Sequence, residues 1–390
     1  MVRGEHGWWG CFLLLPLLGA LSCEAPPSPG GAPADNGPLE PAWIVYFSAS
    51  DPSSDYGHTS LAVATAPDGA TYLLATVYGP VVATGGLALP TDRLGDLAGR
   101  IVLVRVSPAG RPEWARLVAP GWPAWGPFVV AADAGGEAYS LTPVSLRKHS
   151  PQGDLLWTLP FEYSISIDDD PLDLAVDRQG NAYVLLTSRL IKISADGIVL
   201  WSVKETESSV LAADDQGHLL LGGNQVKALS AEDGALLWKA DVLSHDDISV
   251  YPGTGGELVT ISRNLPDLPT LITVSRLAHD GAVQWQEQLL SPSEWVKLQV
   301  AAVDPNRALV IGQYLIGEWL LLVDRHGQMQ DVSLAIEEPN RGSAIPPIAG
   351  TPSGNAVVAG AVYCPEPARD PYCRNAPAFD NDLIALIELP

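Results

Sequence analysis

Short apolar runs alternate with turn residues along almost the whole chain, and this rhythm is the main structural signal. Residues 174–184 read as an apolar strand, a polar turn ending in Gly180, and a second apolar strand. Residues 190–201 continue with a third strand, a turn at Gly197, and a strand carrying Trp201. The same order returns over 211–221 and 226–238, where Trp238 takes the place of Trp201. Each unit predicts four short strands joined by tight turns, because runs of five to eight residues bounded by Gly and Asp are strand-length rather than helix-length.

Two elements recur at blade-like spacing. Gly-x-x-x-Trp appears at Gly110/Trp114, Gly153/Trp157, Gly197/Trp201, Gly234/Trp238 and Gly281/Trp285, and a degenerate copy at Gly327 has Asp331 in the Trp position. The Gly supplies the positive φ of a hairpin turn, and the Trp lies on the outer strand, where its ring can cover the junction between units. A second turn, between the first two strands of each unit, falls at Gly69, Gly136, Gly180, Gly217, Gly256, Asn306 and Gly354. Self-similarity at this period marks an array. The expectation is an all-β chain folded as a seven-bladed β-propeller of four-stranded blades over residues 41–390. The last unit lacks an outer strand, and residues 41–48 supply one, with Trp43 in the repeat position. Pairing 43–48 with 384–389 closes the ring and removes an open sheet edge.

These motifs resemble PQQ-like and NHL-type propeller repeats over roughly residues 41–390. They are also similar to the propeller lipoproteins of the outer-membrane assembly machinery, which have eight blades. The resemblance implies a fold far more strongly than an activity, because propellers host many functions. Quinone-dependent dehydrogenases of this fold use an adjacent cysteine pair, which this sequence lacks, so no cofactor is expected.

Composition narrows the class further. The formal charge of −23 disfavours nucleic acid, whose phosphates it repels. At the start of the chain, Arg3 precedes an apolar run over 8–21, and Ser22 precedes Cys23. This order reads as a lipoprotein signal over 1–22, with Cys23 lipidated as the mature N-terminus; Glu5 and Ala20 depart from the usual pattern, and a plain secretory signal is the alternative. The Pro- and Gly-rich stretch 23–40 reads as a disordered tether. Acyl chains contribute about 0.8 kcal/mol per buried methylene, so the domain is expected at a lipid membrane, extracytoplasmic, in a bacterial envelope.

Strand alternation puts all the tight Gly turns on one face and the longer connections on the other. Insertions over 77–97, 263–270 and 362–382 all fall on the second face, where binding residues usually sit. Candidate rim residues there are His58, Asp168, Asp169, Asp170, His245, Asp246, Asp247, Glu294 and Glu338. An acidic rim can collect a cation or a basic partner, or simply be the solvated loops of an acidic protein. Cys364 and Cys373 bracket one insertion and are expected to form a disulfide in an exported chain, with a reduced metal pair as the alternative. His149, His218, His279 and His326 lie in or beside the Gly turns and read as solvated turn residues, so no metal site is expected. No Gly-x-Ser-x-Gly, His-Glu-x-x-His or phosphate-cradling loop is present. The leading function class is a binding module for a protein or surface glycan. The alternatives are a hydrolase or lyase at the channel mouth and a structural envelope component.

Overall fold

The computed structural model describes residues 41–49, 58–77, 81–90, 99–119, 127–161, 169–214, 216–240, 247–252, 258–264, 271–290, 297–304, 307–314, 317–324, 326–332, 348–362 and 381–387. Among them every regular element is a β-strand. No helix among the described residues is long and apolar enough to cross a membrane. The signal and tether segments, Cys23, Cys364 and Cys373 lie outside the described residues.

The strands form antiparallel sheets, six of four strands and one of six. In a four-stranded sheet the order follows the chain. Pro171–Val176 pairs with Ala182–Leu186, which pairs with Arg189–Ile193, which pairs with Val199–Lys204. The second strand is apolar on both faces, as in Ala182–Leu186, because each sheet is sandwiched between two others. The fourth strand has an open edge and is largely exposed.

The hydrophobic clusters lie between consecutive sheets. Tyr139, Leu141 and Leu146 of one sheet pack with Leu174, Val184 and Ile193 of the next, and Tyr183, Leu185 and Leu190 pack with Leu211, Leu219 and Leu221. The first strands of neighbouring sheets touch in series: His58–Thr65 with Val129–Ala132, then Pro171–Val176, Ser208–Ala213, Asp247–Pro252, Lys297–Asp304 and Ile348–Gly350, which in turn touches His58–Thr65.

The strand Pro41–Ala49 pairs with Asn381–Ile387, with Trp43 opposite Leu386 and Val45 opposite Ile384. Val45 and Phe47 are buried in one cluster with Val63, Leu73 and Val102 of the first four-stranded sheet and Val357 from near the C-terminus. The 77–97 insertion differs from the irregular loop expected from sequence. Val81–Ala83 and Leu87–Ala88 form a short hairpin that adds to the edge of Pro41–Ala49, because Val81, Ala83 and Leu89 can bury against the same cluster.

Candidate functional site

On the tight-turn face the sheets are fastened to one another by a repeated set of polar side chains. The indole N–H of Trp43, Trp114, Trp157, Trp201 and Trp238 donates to the carbonyl of Pro108, Pro151, Ala195, Glu232 and His279 respectively, at 2.5–2.9 Å. Each acceptor sits two residues before the turn Gly of the next sheet. Gly110 has φ +73° and lies so close under Trp43 that a Cβ there would fall 2.5 Å from the indole. The glycine in Gly-x-x-x-Trp thus has two causes, a left-handed turn and a neighbouring ring lying on it.

Sequence reasoning missed the partners of this Trp. A row across each of the first three four-stranded sheets holds Tyr72, Arg105 and Trp114, then Tyr139, Lys148 and Trp157, then Tyr183, Lys192 and Trp201. In each row the cation lies 4.9–5.8 Å from the Tyr ring centroid, and the Tyr and Trp centroids are 5.9–6.0 Å apart. The Tyr139 hydroxyl donates to the carbonyl of Gly180 in the next sheet at 2.7 Å. Burial and the nearby Asp133 carboxylate push the Tyr139 hydroxyl's pKa well above its ordinary value, so it stays a donor. The signal available in sequence was the spacing Asp133 to Tyr139 and Asp177 to Tyr183.

Within these turns the Asp carboxylate organises the backbone. Asp133 Oδ1 accepts from the N–H of Gly135 and Glu137, while Lys148 Nζ sits 3.6 Å from Oδ2. Asp177 and Asp214 repeat the backbone pattern toward Gln179 and Asn181, and toward Gln216 and His218.

The histidines do not behave as a set of solvated turn residues. His149 is buried at the end of Ser145–His149, and burial, with Arg147 and Arg116 nearby, lowers its pKa from 6.5 to about 4. Its burial is something the turn position alone could not reveal. His218 and His279, far apart in sequence, meet at Asp214. His326 remains in its turn, its backbone N–H donating to Asp324.

The structure describes few of the rim residues singled out from sequence. Asp169 and Asp170 are exposed. Asp169 is paired with Arg189 at 2.6 Å and also accepts from the Ser188 hydroxyl, so this part of the rim is a neutralised pair rather than an open carboxylate. Strand positions are described for His58 and Asp247, while Asp168, His245, Asp246, Glu294 and Glu338 lie outside the described residues. On the first strands, Asp173 was not anticipated. Its carboxylate accepts from the N–H of Leu174 and, in the next sheet, of Leu211. Enclosure pushes its pKa up to about 7 against the lowering effect of these two donors.

The outer strands carry an apolar stripe. The register shift where the third strand meets the fourth skips Leu156, Leu200 and Leu237, so each is the unpaired residue of a bulge. These three and their neighbours Leu155, Val199 and Leu236 are about half exposed. The corresponding bulge positions on either side are polar, Glu113 and Gln284. The bulge leucines therefore occupy three consecutive sheets, and Val283, 48% exposed, carries the neighbouring apolar position into the fifth.

Comparison with known proteins agrees with this architecture. The propeller domain of Cps50 (Swd1) from Myceliophteria thermophila aligns with a TM-score of 0.55 and 10% identity, over 86% of this chain and 99% of that one. The WD40 domain of Pan2 from Neurospora crassa aligns with a TM-score of 0.52 and 11% identity, over 84% of this chain and 88% of that one. The chain is a β-propeller. Residues 187–365 match the family model PQQ_2, described as outer membrane protein assembly factor BamB, so the repeats of that stretch are PQQ-like. BamB from Moraxella catarrhalis aligns only loosely, with a TM-score of 0.40 and 11% identity over 84% of this chain and 96% of that one. No curated protein matches the sequence.

Proposed function

We propose that this chain is a seven-bladed propeller, exported and held at a membrane through a lipidated Cys23, that serves as a docking module for another envelope protein. Seven sheets whose first strands touch in series, the last against the first, support the closed ring. The pairing of Pro41–Ala49 with Asn381–Ile387 supports closure by the N-terminal strand. The description of the matched family as an outer membrane assembly factor supports an envelope location and a protein-binding role.

The observation that carries the binding reading is the apolar stripe at Leu156, Leu200 and Leu237. Three half-exposed leucines at bulge positions on consecutive blades, continued by exposed Val283, form a patch whose exposure folding alone does not explain. Exposed Asp154, Asp196 and Asp233 precede the leucines by two to four residues in the chain. The occupant is therefore a protein segment with apolar side chains and basic flanks, lying along the outer strands. The test compares proteins cross-linked to the chain in its native envelope with those cross-linked to Leu156→Ser/Leu200→Ser/Leu237→Ser. Loss of one defined partner at an unchanged thermal midpoint supports the stripe. Retention of every partner overturns it.

The second reading places the contact, with protein or glycan, on the opposite loop-rich face, where the disulfide expected between Cys364 and Cys373 would present a long loop. Exposed Asp170, beside the neutralised Asp169–Arg189 pair, favours it. Reversing both aspartates to Lys then abolishes binding, while the triple Ser variant leaves it unchanged.

A further inference from the structure

We propose that Asp214, His218 and His279 form a binding site for a divalent transition-metal ion, with Zn2+ the best-matched ion, at the junction of the fourth and fifth sheets on the tight-turn face. The imidazole Nδ1 of His218 lies 2.9 Å from Asp214 Oδ2, and that of His279 lies 3.7 Å from the same oxygen. One ligand atom from each of the three side chains lies within 4.8 Å of the other two. In a tetrahedral site with bonds of about 2.0–2.1 Å, donor atoms sit about 3.4 Å apart, so this trio needs only small rotations to close on an ion.

Comparison between blades shows why this junction is different. In the second and third sheets the equivalent aspartates, Asp133 and Asp177, give their second oxygen to the hydroxyls of Tyr139 and Tyr183. Asp133 has Lys148 beside it as well. In the fourth sheet the row reads Leu220, Ala228 and Trp238, so the hydroxyl and the cation are both replaced by apolar groups. Yet Asp214 is conserved in kind and its side chain is 1% exposed. A carboxylate this buried requires a compensating positive charge or strong donors. What the sequence supplies instead is two imidazoles. His218 replaces Glu137 and Asn181 four residues after the aspartate. His279 occupies the turn position held by Pro108, Pro151, Ala195 and Glu232 elsewhere, and its backbone carbonyl takes the Trp238 bond, which fixes the backbone beneath the ring.

Two imidazoles and one carboxylate are the donor set that suits Zn2+, Ni2+ or Cu2+ and disfavours Mg2+ and Ca2+, which take oxygen ligands. His218 and His279 side chains are 25% and 39% exposed, which gives an ion a path in and leaves room for a water as a further ligand. The overall charge of −23 favours cation capture.

The test titrates the purified full-length chain, freed of metal with a chelator, with Co2+ followed by its visible ligand-field bands, and then displaces it with Zn2+. One equivalent is expected to give the spectrum of a four- or five-coordinate site. His279→Ala, in an exposed turn, is expected to weaken binding by about tenfold or more while leaving the metal-free thermal midpoint in place. His218→Ala gives the same loss, and Zn2+ raises the midpoint of the wild-type chain but not of either variant. Absence of a stoichiometric Co2+ spectrum, or a spectrum that survives both His substitutions, overturns the proposal.

Discussion

The proposed closure of the ring by the N-terminal strand makes Phe47→Ala the most informative single change. Phe47 is 2% exposed and packs with Val45, Val63, Leu73 and Val357, residues that come from both ends of the chain. Removing the ring from a slot whose walls belong to two different sheets leaves a cavity that neither can collapse to fill, at a cost of about 3–5 kcal/mol. Unfolding entropy near 2.1 cal/mol/K per residue gives about 0.7 kcal/mol/K for roughly 350 residues, so the midpoint should fall by about 4–7 °C. The control is Leu156→Ala, also on an outer strand but 47% exposed, for which a change within about 0.5 kcal/mol is expected. Thermal and urea denaturation of both variants supply the comparison. If Phe47→Ala lies within 1 °C of Leu156→Ala, the strand contributes little and the ring is not held shut as described.

Tyr139→Phe removes a hydroxyl that bridges two sheets, and urea denaturation should register a loss of about 1–2 kcal/mol. His149 has a folded pKa of about 4 against 6.5, so the unfolded chain binds its proton first. Its contribution is complete above pH 6.5 and is lost as pH falls toward 4, amounting to about 2 kcal/mol at pH 5. His149→Met should therefore flatten the decline in thermal midpoint between pH 7.5 and 5, and an unaltered slope would show that the ring is not protected. Cys23→Ala should move the protein from the membrane fraction to the soluble fraction on cell fractionation, and continued detergent partitioning with an intact signal would argue against lipidation.

The turn and strand pattern was legible in the sequence because it is local. A Gly at the αL position of a hairpin and an apolar strand on either side declare themselves within a dozen residues, and their repetition gives the propeller without any knowledge of contacts. The pairing of residues 41–49 with the end of the chain could also be anticipated, since an orphan strand at each terminus has one economical solution. The bulges were not legible, because the skipped residue is set by the register of the partner strand, and Leu156, Leu200 and Leu237 look like ordinary alternating core positions. Nor was the hairpin at Val81–Ala83, whose burial depends on an edge formed by residues of Pro41–Ala49. His149, His218 and His279 show the same limit most clearly. All three lie in or beside Gly turns in sequence, yet one is buried as a neutral ring and the other two converge on Asp214. The sequence by itself determined the repeating local unit; the tertiary structure alone decided which side chains meet, because those contacts cross from one blade to the next and depend on the rotation between sheets, a quantity no local window contains.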